Sequence, residues 1–141
     1  MSLVASPLDL LAGPSAEAWL ALLGVAYLLI KHAFADYVLQ TRYQWMNKGT
    51  YGHPGGLVHV AAHVVLTTPV FAIVPGATLG LAALILGAEF LVHYHVDWAK
   101  ERLVRERGWT AADKQFWHAI GFDQLAHGLT YVAIVWAIVA L

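Results

Sequence analysis

The chain has 141 residues, 60% of them hydrophobic and 12% charged, with a formal net charge of −1 and a mean hydropathy of +0.62. Soluble domains carry roughly 25% charged residues, so the membrane class is favoured, and the charge balance offers no basic face for nucleic acid. With no cysteine there is no disulfide framework or thiolate site; a metal would need imidazole and carboxylate ligands.

By length the chain is one domain, residues 1–141. Residues 1–15 contain no Lys or Arg. A secretory signal needs a basic n-region, so this stretch reads as a short luminal or periplasmic tail rather than a cleaved signal. Apolar runs at 18–30, 58–74, 79–96 and 119–141 predict four spans at about 17–40, 57–74, 78–98 and 117–141, a span needing about 20 residues. The first reaches that length only by continuing through 31–39. The second contains Pro69 and ends at Val74-Pro75-Gly76, a turn signal that makes spans two and three a tight hairpin. Gly108 is expected to end the third helix, with Thr110 capping the fourth and Asp113 in its first turn. The predicted fold is all-α, a four-transmembrane-helix bundle.

Orientation follows from charge. Lys31, Arg42 and Lys48 fall at the end of the first span or just after it. Lys100, Arg102, Arg105, Arg107 and Lys114 fall between the third and fourth. By the positive-inside rule these two regions face the cytoplasm, and both termini face away from it.

The polar residues inside the spans are spaced four apart: His32/Asp36, His59/His63, His93/Asp97 and Asp123/His127. Such residues share a helix face about 6 Å apart. With antiparallel helices at similar depths, His32, His63, His93 and His127 form a deep layer. Asp36, His59, Asp97 and Asp123 form a shallow one. A carboxylate inside a bilayer costs roughly 2.5–3.5 kcal/mol and persists mainly when paired or functional; a divalent cation offsets several such costs together. All eight are therefore candidate metal ligands, zinc being the first expectation, with iron, manganese and nickel also compatible. Eight candidates exceed the needs of one tetrahedral ion, so two ions, or one with outer carboxylates, both fit. Haem fits less well beside three aspartates.

Glu89 extends the third stripe toward mid-bilayer as a base, proton carrier or partner of a histidine. Gln40, Lys100 and Gln124 extend the set toward substrate or supporting roles, with Lys100 placed for an anionic group at the mouth or for snorkelling. Asp36, Asp97, Asp123 and Glu89 are the candidate catalytic residues. The plainer expectations are interhelical hydrogen bonds for His95 and His118, solvation for His53, and an interfacial belt for Trp19, Trp45, Trp98, Trp109 and Trp117. A polar network joining the helices is the non-metal alternative for the pairs.

The stretch from Lys31 to Thr41 with His-x-x-x-Asp-x-x-x-Gln, then His59, His93-x-x-x-Asp97-x-x-Lys100 and Asp123-Gln124-x-x-His127 together resemble the bacterial membrane family called domain of unknown function 3307. The resemblance covers nearly the whole chain. It implies a small polytopic protein of the bacterial inner membrane and carries no function. A looser likeness, in style only, links such bundles to inner-membrane metal-dependent hydrolases. The expected function is metal-dependent hydrolysis of a lipidic or amphiphilic substrate at a site near the cytoplasmic face. Divalent-metal or proton transport is one alternative, and a non-catalytic sensor or assembly subunit the other. Beyond the lipid bilayer, the one partner a bundle this small invites is a second copy of itself.

Overall fold

The computed structural model describes residues 15–141, so the expected luminal tail lies, but for Ser15, outside the described residues. Within them the chain folds as α1 (Ala16–Phe34), a π-helical turn (Ala35–Leu39), α2 (Arg42–Asn47), α3 (Pro54–Thr67), α4 (Val70–Ile73), α5 (Leu79–Arg107) and α6 (Lys114–Ala140). There is no strand among the described residues. Four segments, Ala16–Leu39, Pro54–Ile73, Leu79–Arg107 and Lys114–Ala140, are long and apolar enough to cross a membrane.

Local chemistry sets the boundaries. α5 runs on to Arg107, past the expected end near Trp98, and stops at Gly108, whose φ of 65° is left-handed. A residue without Cβ adopts that conformation at least cost. The Thr110–Asp113 pair forms, but ahead of the helix: the Thr110 amide and hydroxyl donate to Asp113 Oδ2 at 2.8 and 3.0 Å. Asp113, rather than Thr110, is the residue that precedes α6. α2 was not expected from hydropathy, being short and polar; a reciprocal Thr41/Gln44 capping box starts it.

Pro69 divides the second span into α3 and α4, because it lacks an amide proton and its ring clashes with the preceding turn. In an apolar surrounding the freed carbonyls need donors. The Thr68 hydroxyl donates to Val65 O at 2.8 Å, and Tyr27 of α1 donates to Leu66 O at 2.7 Å.

The helices close a ring in which α1 packs on α3, α4 and α6, while α5 packs on α3 and α6. The interior has two halves. One is apolar, with Leu28, Val70, Val74, Ile85, Tyr131, Ile134, Val135 and Ile138 in one buried cluster. Gly24 lets α1 approach there: a Cβ would sit 2.5 Å from Val74 Cγ2 and 3.3 Å from Val135 Cγ2. The other half is built from histidine and aspartate.

Candidate metal centre

Each long helix delivers its pair to the same level. The rings of His32, His63, His93 and His127 form a closed circuit, with centroid separations of 4.9 Å (32–63), 4.1 Å (63–93), 4.1 Å (93–127) and 4.7 Å (127–32). His59 stacks edge-on to His63 at 4.6 Å, one turn nearer the α2 side. All five imidazoles are buried.

Two carboxylates gather the five rings. Asp36 lies 3.3 Å from His32 Nε2, 3.3 Å from His59 Nε2 and 3.2 Å from His63 Nε2. Asp97, only 2% exposed, lies 3.0 Å from His59 Nε2, 3.7 Å from His93 Nε2 and 3.4 Å from His127 Nε2. Asp123 stands at the edge, 3.7 Å from His127 Nε2. Asp36 sits on the π-helical turn; such turns shift side-chain direction by inserting one residue and recur at functional sites. The turn brings this carboxylate within reach of three histidines from two helices.

Four groups in this cluster could hold a metal ion: His32/His63/His93, Asp36/His59/His63, His59/His93/Asp97 and Asp97/Asp123/His127, the ligand atoms of each lying within 4.8 Å of one another. Together they contain all eight residues singled out by spacing. Their chemistry fits a cation. Both ring nitrogens of His93, His32 Nε2, His63 Nδ1 and Asp123 Oδ1 are buried without a hydrogen-bond partner. Orphaned buried polar atoms are costly, and a cation would satisfy those that face the cluster.

Supporting contacts hold the rings from outside. Tyr131 Oη and His32 Nδ1 are 2.8 Å apart, and the Gln40 amide meets His59 Nδ1 at 3.0 Å. Gln124 Nε2 donates to Asp123 Oδ2 at 3.1 Å. Outer partners of this kind fix ring orientation and tautomer in metal sites.

Three lysines near the cluster have acidic partners. Lys31 lies within the first span, 5% exposed, and its ammonium donates to Glu89 Oε1 and to His63 O at 3.0 Å each. Glu89 also accepts from Thr67 Oγ1 at 2.8 Å. It belongs to a buried ion pair one turn below the rings and to none of the four groups. Lys48, in the segment after the first span, is buried with its ammonium 3.5 Å from Asp97 Oδ2. Lys100 pairs with Glu101 at 2.7 Å.

His95, His118 and His53 stand apart from the cluster. His95 Nδ1 bonds Leu91 O at 2.7 Å within its own helix, with Tyr51 Oη 3.2 Å from its other nitrogen. His118 is exposed, and His53 caps α3 by accepting from Gly55 N at 3.0 Å. Spacing missed Tyr131 and Thr67, although each is the next step of a stripe, four residues after His127 and His63. Nothing in the sequence marked Lys48.

A family model described as "Protein of unknown function (DUF3307)" matches residues 25–141. The chain belongs to that family. No curated protein and no solved structure matches it.

Proposed function

We propose that this is a single-domain protein of the bacterial inner membrane that hydrolyses an amphiphilic ester at a divalent-metal centre, zinc being the ion best suited to five imidazoles and three carboxylates. The observation that carries the reading is the convergence of five imidazole Nε2 atoms on Asp36 and Asp97 inside an apolar bundle. The distribution of Arg42, Lys100, Arg102, Arg105, Arg107 and Lys114 supports a cytoplasmic position for the site's mouth, with both termini on the other side.

The histidines and Asp97 would hold the ion, which would polarise the scissile group and acidify water. Asp36 and Asp123 differ from Asp97 in lining a cavity of about 660 Å³. Asp123 is the better base, since Gln124 orients one oxygen while the other, without a hydrogen-bond partner, faces the cluster 3.7 Å from His127 Nε2, where the ion would acidify water. In the reaction the water oxygen bonds to the acyl or phosphoryl centre, and the bond to the leaving oxygen breaks. The water proton passes through Asp123 to the leaving group. Glu89 is held by Lys31 and Thr67 and has no part in this step.

Two features favour hydrolysis over transport. The cluster borders a cavity through Asp36 and Asp123, and among the described residues Leu28, Val70, Val74, Ile85 and Ile138 form an apolar cluster on the other side. A transporter needs access from both faces. A sensor or structural site would need no substrate-sized cavity.

The test is Asp123→Asn, assayed on short-chain p-nitrophenyl carboxylic and phosphoric esters with metal content measured in parallel. Loss of a general base lowers kcat by about 10²–10⁴-fold while metal is retained. Unchanged turnover in this variant would remove Asp123 from the reaction, and no turnover of any ester by the metal-loaded protein would end the hydrolase reading.

A further inference from the structure

The cavity above the cluster has an uneven wall. Asp36 and Asp123 form its floor, and their carboxylates are turned to the histidines. Arg42, Lys48, Lys100 and Arg105 also line it. Arg105 is committed to the protein, donating to Met46 O at 2.6 Å. Glu101, the remaining acid of the wall, is matched by Lys100. Lys48 stands beside Asp97, and Arg42 at the start of α2 has no acidic partner among the described residues; the four cations of the wall, Arg42, Lys48, Lys100 and Arg105, exceed its three acids, Asp36, Glu101 and Asp123, by one.

The rest of the wall is apolar. Tyr37, Trp45 and Met46 line the same cavity and are 74%, 55% and 48% exposed. They give the cavity an exposed apolar margin. Trp and Tyr at such positions sit at the headgroup level of a bilayer. A soluble anion needs only the cations, whereas this margin provides a path for an acyl chain.

We propose that the cavity is a phosphate subsite for a lipid. The phosphate lies among Arg42, Lys48 and Lys100, and the chain leaves past Tyr37, Trp45 and Met46 into the bilayer. The excess of positive charge in the wall favours an anion, and Arg42 with the donors that Lys48 and Lys100 have left over suits the several oxygens of a phosphate better than a carboxylate, guanidinium and ammonium groups both binding phosphate with charge-assisted hydrogen bonds. The proposal narrows the hydrolase reading to phosphorylated lipids and rests on it for turnover, but binding is measurable without turnover.

The full-length protein in detergent is titrated calorimetrically with dioctanoyl phosphatidic acid, dioctanoyl phosphatidylcholine, octanoate and inorganic phosphate. Phosphatidic acid is expected to bind and the other three to bind at least about tenfold more weakly, a difference of one charge-assisted contact. Arg42→Gln and Lys100→Gln, both outside the metal cluster, should each weaken phosphatidic acid binding about tenfold with metal content and melting temperature unchanged. Equal affinity for inorganic phosphate would make the ligand a free anion and overturn the lipid assignment. Equal affinity for octanoate, or unchanged binding in both variants, would overturn the phosphate subsite. Phosphatidic acid binding by a protein that holds no metal would sink the hydrolase reading and leave the subsite standing. Metal content and ester turnover without phosphatidic acid binding would do the reverse.

Discussion

The two halves of this bundle solve the same packing problem with opposite chemistry. In one, Leu28, Val70, Ile85, Tyr131 and Ile134 fill the space between helices with apolar volume. In the other, one turn or more along the same helices, five imidazoles and two carboxylates fill it. Apolar packing needs only shape. The polar half must also satisfy every donor and acceptor, and in low dielectric an unpaired group there is expensive. Lys31, Glu89, Thr67 and Tyr131 mark the boundary, where Lys31 and Thr67 donate to Glu89 Oε1 and Tyr131 meets His32 before the apolar cluster begins. The difference teaches that the histidine half is the more demanding to build, since apolar side chains would fill the same space without buried polar groups to satisfy.

The boundary is where substitution should cost most. Lys31→Met or Glu89→Leu alone strands a buried charge and should lower stability by about 3–5 kcal/mol. The double variant should recover most of that loss. Thermal unfolding in detergent checks this, and additive losses would show that the pair is not coupled. In the apolar half, Leu28→Ala should cost about 2–5 kcal/mol through lost burial and a residual cavity. It should leave metal stoichiometry unchanged; metal loss in Leu28→Ala would mean the halves are not separable. Tyr131→Phe has the smallest expected effect on folding. By freeing His32 Nδ1 it should weaken metal affinity about 10–100-fold, read by competition with a chelator, and unchanged affinity would reduce Tyr131 to a packing residue.

Much of this was legible in the sequence because a helix turns spacing into proximity. Four apolar runs gave four long helices, and residues four apart fell on shared faces, so His59/His63 and His93/Asp97 met as spacing required. The stripes run further than the pairs: Thr67 and Tyr131 continue them, but a hydroxyl in an apolar run reads as ordinary composition. The partner of Lys31 was hidden because hydropathy registers a charge without its partner, and Glu89 is 58 positions away. Lys48 and the π-helical turn were hidden for different reasons. Lys48 reaches Asp97 from a loop with no periodicity. The turn changes hydrogen bonding, which no hydropathy pattern records.

The central claim is that the histidine half holds metal. Purified wild-type protein, His63→Ala and Asp97→Asn should be saturated with zinc, desalted and analysed for bound metal per chain by plasma mass spectrometry. One or two ions per wild-type chain, largely lost in both variants while each remains folded, is the predicted result. A wild-type chain without metal, or variants that hold as much as the wild type, would contradict the account and leave the cluster a polar network between helices.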